Sequence, residues 1–154
     1  MTIERRHDPA SVERILDGLP EWFGLPEANR HYVEAAASMP SWCAVIDEHV
    51  VGVALVERRF DESADLHLLA VDREAHRRGV GRALVEAVST DLARDGVKLL
   101  QVNTVGGSFE HEGYAATRAF YRACGFIPMA ELHGIEWDGP TLISARILAS
   151  NASG

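Results

Sequence analysis

The chain has 154 residues, 47% of them apolar and 25% charged, with a formal net charge of −8. That length and balance suit one soluble domain with a single core and leave no room for a second, while intrinsic disorder and a membrane-embedded fold are excluded by composition. The longest apolar stretch near the middle, Val50 to Val56, is seven residues where a membrane span needs about 20.

The N-terminus from Met1 to Pro9 carries charges with no apolar stretch behind them, so no secretory signal is expected. Asp8-Pro9 reads as a helix N-cap and first-turn proline, and Val12, Ile15, Leu16 and Leu19 recur at helical spacing until Gly18 and Pro20 break the pattern. A second helix is expected from about Pro26, with Tyr32, Val33 and Ala36 on one face and Pro40 as its stop. From Ser41 the period changes to that of strands: Trp42 to Ile46, a tight turn at Asp47-Glu48-His49, then Val50 to Arg58 as the second arm of a hairpin. A turn at Asp61-Glu62-Ser63 leads to a strand from Asp65 to Val71.

After a loop rich in arginine and glycine, Val80, Leu84, Val85, Val88 and Leu92 mark the buried stripe of a helix that Gly96 terminates. Val97 to Val105 reads as a strand, followed by a polar loop through Gly106-Gly107 and His111-Glu112-Gly113. A short helix is expected from about Ala115 to Cys124, with Ala116, Phe120 and Ala123 inward and Gly125 closing it. Strands near Ile127–Trp137 and Leu142–Ile147, joined by Asp138-Gly139-Pro140, finish the fold, and residues 149–154 read as a frayed tail. The order predicts antiparallel hairpins at both ends and one parallel, right-handed strand-helix-strand unit in the middle.

The acidic balance excludes a nucleic-acid binder that works by neutralising phosphates. One local exception stands out: Arg73, Arg77, Arg78 and Arg82 face a single acid, Glu74, within ten residues, which points to an anionic ligand. The loop His76-Arg77-Arg78-Gly79-Val80-Gly81-Arg82 lies between a strand and the first turn of a strongly periodic helix. Glycines without Cβ let backbone N–H groups close on a phosphate, the helix start supplies unsatisfied donors and partial positive charge, and arginines add charge-assisted contacts. A dinucleotide fingerprint needs a small residue where Leu84 sits, and a Walker loop needs Gly-Lys-Ser/Thr, so both are ruled out.

The loop resembles the acetyl-CoA loop of the GNAT superfamily of N-acetyltransferases, Arg/Gln-x-x-Gly-x-Gly/Ala after a strand ending apolar-x-Val. Here that strand end is Leu69-Ala70-Val71, the glycines are Gly79 and Gly81, and the Arg/Gln position is His76. A second element, Phe120-Tyr121-Arg122-Ala123-Cys124-Gly125-Phe126, is similar to the family's Phe/Leu-Tyr-x-x-x-Gly-Phe helix, and the usual asparagine seven residues before the tyrosine is Tyr114. Together the motifs and strand order cover most of residues 41–147. The stretch Tyr114-x-x-Thr117-Arg118-x-Phe120-Tyr121 also resembles a bacterial-type branch of the superfamily.

The resemblance implies an α+β fold of mixed α/β/α layers: a single GNAT domain over residues 1–150 with a mostly antiparallel six- to seven-stranded sheet and helices on both faces. It implies acetyl transfer from acetyl-CoA to an amine by direct attack in a ternary complex. The cosubstrate is expected on Leu69, Ala70, Val71, His76, Arg77, Arg78, Gly79, Val80, Gly81 and Arg82, with a backbone N–H of Leu69–Val71 as oxyanion donor and the strand near Gln101–Asn103 opposite. Tyr121 aligns with the tyrosine that assists the departing thiolate. Asp65, which shares a strand face with His67, falls at the position of a general base, with Glu57, His111, Glu112, Glu136 or a water chain as alternatives. No metal is implied, since the seven histidines are scattered, and Cys124 reads as packing rather than as a nucleophile. The widely separated Cys43 and Cys124 read as free thiols of a cytoplasmic protein. No nucleic-acid or membrane partner is expected, the amine acceptor is unidentified, and the family leaves a homodimer open. A non-catalytic acyl-CoA-binding module and, with less support from so acidic a chain, a toxin-like aminoacyl-tRNA acetyltransferase are the alternative readings.

Overall fold

The computed structural model describes residues 1–148. Its elements run β1 (Thr2–Arg5), α1 (Pro9–Asp17), α2 (Pro26–Ala35), β2 (Ser41–Ile46), β3 (His49–Phe60), β4 (Ser63–Val71), a 3-10 turn (Arg73–Ala75), α3 (Val80–Arg94), β5 (Leu99–Val105), α4 (Glu112–Ala123), β6 (Ile127–His133) and β7 (Pro140–Ile147). The seven strands are ordered β1-β2-β3-β4-β5-β7-β6. β4 and β5 pair in parallel across α3, while β1–β2, β2–β3, β5–β7 and β6–β7 are antiparallel. This is the mixed, mostly antiparallel α+β sheet that the strand pattern predicts. The expected tail at 149–154 lies outside the described residues.

The chain divides into two compact units, Met1–Glu57 with Leu66–Asp91, and Arg58–Asp65 with the residues from Leu92 onward. In the first, Asp47 and Glu48 both take left-handed φ, 49° and 68°, as a two-residue turn matched to strand twist requires. They set the register Ile46↔His49 and Val45↔Val50. Alternation then sorts the side chains by face. Cys43, Val53 and Leu55 pack with Val12, Ile15 and Leu16 of α1, whereas Ala44 and Gly52 lie towards Val80 and Leu84 of α3. Trp42, 1% exposed, donates its indole N–H to Asp91 of α3 at 2.8 Å and carries the Arg5 guanidinium over its ring. β1 was not legible in the sequence: Thr2-Ile3-Glu4-Arg5 has a single strongly apolar residue, and it forms by pairing along β2 at the sheet edge.

In the second unit α4 begins three residues earlier than predicted, capped by His111, whose Nδ1 accepts the Gly113 N–H at 3.2 Å. The inward face also differs. Ala116 and Ala123 are exposed and Phe120 is half-buried; Tyr121 and Cys124 are buried, with Thr117 and Tyr114 along the same stripe. Tyr121 and Phe120 are adjacent and only one can face the sheet; Phe126, 1% exposed and 5.4 Å from the Tyr121 ring, selects the tyrosine. β6 ends at His133 rather than continuing to Trp137, and β7 starts at Pro140.

Candidate active site

β4 alternates half-buried and buried residues to its end, so Leu69 and Val71 are partly accessible while Ala70 is only 2% exposed. The chain leaves the strand at Asp72. Its N–H donates to the Val51 carbonyl at 2.8 Å, and its carboxylate accepts from Arg14 at 3.1 Å. Buried Ala75 anchors the 3-10 turn. Arg73 turns back to the Gly18 carbonyl and the Glu21 carboxylate, holding that carboxyl below the usual carboxylate range. Of the four arginines in the cationic stretch, Arg73 is therefore a brace for the loop, and Arg77, Arg78 and Arg82 form its exposed cationic edge.

His76 donates from Nε2 to the Val71 carbonyl at 2.7 Å, closing the loop on the strand it leaves, and its ring stands edge-on to Trp22 with centroids 6.0 Å apart. Arg77 and Gly79 have φ of 62° and 77°. The Gly79 carbonyl accepts from the Ala83 N–H at 3.0 Å, at the start of α3, where the N–H groups of the first residues have no carbonyl four residues earlier within the helix. A Cβ built on Gly79 meets nothing within 4 Å. The open space beside Gly79, the electropositive start of a helix and the exposed Arg77, Arg78 and Arg82 are the properties that a diphosphate-binding loop needs. Val80, Leu84, Val85 and Val88, each at most 1% exposed, hold that helix start rigidly.

The remaining predicted residues belong to the second unit. Tyr121 is 8% exposed and packs between the rings of Phe120 and Phe126. Asp65 accepts from Nε of Arg59 at 2.7 Å. On β5, Gln101 donates to Asn103 at 3.3 Å, and Asn103 donates to Glu136 at 2.9 Å. This polar chain was not visible in the sequence beyond Glu136 as a candidate base, since Asn103 and Glu136 are 33 residues apart. In the first unit, the Tyr32 ring meets that of His67 at 5.2 Å. Among the described residues no three His, Cys, Asp or Glu side chains are close enough to hold a metal ion, and no helix is long and apolar enough to cross a membrane.

Residues 38–128, more than half of the chain, match the family model described as the Acetyltransferase (GNAT) domain. The chain belongs to the GNAT acetyltransferases. A solved GNAT-family structure from Desulfovibrio desulfuricans superposes with a TM-score of 0.84 at 25% identity, covering 96% of this chain and 99% of that one. A GNAT acetyltransferase from Elizabethkingia anophelis, solved with acetyl-CoA bound, shares the fold at a TM-score of 0.74 and 16% identity over 96% of this chain and 97% of the other. A mycothiol acetyltransferase from Rhodococcus erythropolis is 31% identical over 102 residues, which are 64% of this chain and 34% of that protein. The aligned region thus spans about a third of that relative's length. The one departure from the GNAT loop pattern, His76, has a visible consequence: its side chain binds the strand carbonyl instead of pointing outward.

Proposed function

We propose that this GNAT domain, covering residues 1–150, transfers the acetyl group of acetyl-CoA to an amine in a ternary complex. The observation that carries the reading is the loop from His76 to Arg82, in which left-handed Arg77 and Gly79 precede the capped start of α3. Backbone N–H groups and Arg77, Arg78 and Arg82 bind the diphosphate, and a backbone N–H of the Leu69–Val71 segment receives the oxyanion. The amine attacks the thioester carbonyl and forms the C–N bond, its proton passing to Asp65 or water; the tetrahedral adduct then collapses by breaking the C–S bond, and Tyr121 protonates the departing thiolate. The protein acts in the cytoplasm and as a homodimer.

A second reading, a non-catalytic acyl-CoA-binding module, is favoured by one contact. Asp65, the residue assigned as base, is already paired with Arg59 at 2.7 Å, so an amine competes with that guanidinium for it. Two measurements on one preparation separate the readings. Acetyl-CoA at about 100 times its dissociation constant adds about 2.7 kcal/mol, several degrees in melting temperature for a domain this size, where NAD and ATP add nothing. Loss of thioester absorbance on adding a panel of amines then reports transfer. No shift with acetyl-CoA overturns both readings; a shift without thioester loss for any amine leaves the binding module.

A further inference from the structure

Two loops of the second unit meet ring to ring. The connection from β5 to α4 carries Phe109 and His111, the first turn of α4 carries Tyr114, and the connection from β6 to β7 carries Trp137. The Phe109 ring stands edge-on to that of Trp137 with centroids 5.4 Å apart, lies nearly parallel to His111 at 6.5 Å and is tilted against Tyr114 at 6.3 Å; His111 and Tyr114 are 4.9 Å apart. Backbone bonds fix the arrangement. Trp137 donates its indole N–H to the Pro140 carbonyl at 3.0 Å, the Phe109 N–H donates to the Gly106 carbonyl at 3.1 Å, and the Ser108 N–H donates to Glu131 at 3.2 Å. Yet Phe109 and Trp137 remain 40% and 39% exposed, unlike the core ring of Trp42.

The charge around these rings is of one sign. Residues 106–114 and 134–140 contain Glu110, Glu112, Glu136 and Asp138 and no lysine or arginine, and all four carboxylates are exposed. Glu136 accepts from the Asn103 amide at 2.9 Å, which leaves its charge in place. His111 adds no positive charge, because its Nδ1 accepts the Gly113 N–H at 3.2 Å and so carries no proton. A Cβ on Gly107 would lie 3.8 Å from Arg118 Nε, and that guanidinium is itself engaged, donating to the Val105 carbonyl at 2.8 Å. Electron-rich ring faces among carboxylates attract a cation, and they hold it best when the charge is borne by a weakly hydrated ammonium with apolar substituents. A bare metal ion is not that cation, since among the described residues no three His, Cys, Asp or Glu side chains converge; an anion is repelled.

We propose that Phe109 and Trp137, with the carboxylates of Glu110 and Asp138, recognise an organic ammonium ion that has an aryl or alkyl body, and that this is the class of the amine acceptor. The acceptor assignment rests on the acetyl transfer proposed above, in which β5 near Gln101–Asn103 borders the cosubstrate; Asn103 ties the Trp137 loop to that strand through Glu136. Benzyltrimethylammonium, which has the cation and the ring but no N–H to acetylate, is the probe, titrated calorimetrically into the full chain. The wild type binds it about tenfold more tightly than the neutral 2-phenylethanol, and in the transfer assay it competes with phenethylamine and not with acetyl-CoA. Phe109→Leu and Trp137→Leu keep apolar volume and remove a π face, so each weakens the probe about 5- to 30-fold, with the acetyl-CoA-induced melting shift unchanged. Equal affinity for probe and alcohol, or leucine variants that bind the probe as the wild type does, overturns the site. Should the leucine variants fail to fold, Glu110→Gln combined with Asp138→Asn decides: weaker probe binding that has lost its dependence on salt supports the site, and unchanged binding overturns it. A probe that binds as described without competing with the amine overturns the acceptor assignment. Probe binding with no amine acetylated overturns acetyl transfer and leaves the cation site standing.

Discussion

His76 stands where the GNAT pattern has arginine or glutamine, and its Nε2–H is held by the Val71 carbonyl at 2.7 Å. In the proposed function its contribution is to fix the loop's closure. His76→Ala removes one hydrogen bond worth about 1 kcal/mol, so the acetyl-CoA dissociation constant should rise about fivefold in a calorimetric titration, with kcat little changed. His76→Gln, which can still donate, should recover most of that loss; equal affinities for all three proteins would mean that the ring does not shape the loop. Tyr121 poses the opposite question, because it is buried yet proposed as an acid. Tyr121→Phe keeps the packing against Phe120 and Phe126, so acetyl-CoA affinity should hold while kcat falls by about 10²- to 10⁴-fold, the usual value of general-acid assistance. A drop under about fivefold, with chemistry rate-limiting, assigns the tyrosine to packing. The resemblance implied the tyrosine's role, but its burial and the brace on the loop could not be read from the chain alone. Phe120 and Tyr121 compete for one inward direction, and the choice is made by Phe126; the partner of Arg73, Glu21, lies 52 residues away.

Helices α1 and α3 are the elements whose ends matter most. Asp8 caps α1, its Oδ1 accepting the Ser11 N–H at 3.0 Å and its Oδ2 accepting from the Ser11 hydroxyl and Arg6. Burial alone would raise its carboxyl; the bonds from Ser11 and Arg6 outweigh that and hold it below the ordinary 3.8. A depressed carboxylate stabilises the fold above its ordinary pKa, and that stability is lost as the pH falls through the depressed value. Asp8→Ala should therefore cost about 1 kcal/mol near neutrality, and the gap between variant and wild type in urea unfolding should close well below the usual carboxylate range. The start of α3 depends on Gly52. A Cβ there would lie 2.8 Å from Val80 Cγ1 and 3.0 Å from Leu84 Cδ1, so Gly52→Ala should destabilise by about 1–3 kcal/mol. Because it displaces the helix start, acetyl-CoA affinity should fall in the same variant; a lower melting temperature with unchanged affinity would uncouple the two. The α3 stripe was legible because Val80, Leu84, Val85, Val88 and Leu92 repeat with the helical period. β1 was not, since an edge strand draws its stability from the neighbour it pairs with and needs no pattern of its own.

Across the whole molecule, motif and period picked out the glycine-arginine loop proposed for the cosubstrate, whereas the sequence offered no acceptor site. The reason is physical. Diphosphate recognition uses backbone geometry, which glycine positions announce, while side-chain contacts between residues distant in sequence, such as Tyr32 with His67 and Asn103 with Glu136, are created only by folding. The two cysteines carry a further consequence. Cys43 is 1% exposed and Cys124 5%, and burial pushes the Cys43 thiol up, away from the reactive thiolate. Both sulfurs are thus shielded in the native state, and an aromatic disulfide reagent should reach them only when the fold opens. Labelling becomes a clock for that opening: the native protein should react many times more slowly than the denatured chain, and saturating acetyl-CoA should slow it further by lowering the open population. The same shielding keeps the enzyme silent in a colorimetric assay of released CoA, so any yellow colour that grows with amine concentration measures turnover alone.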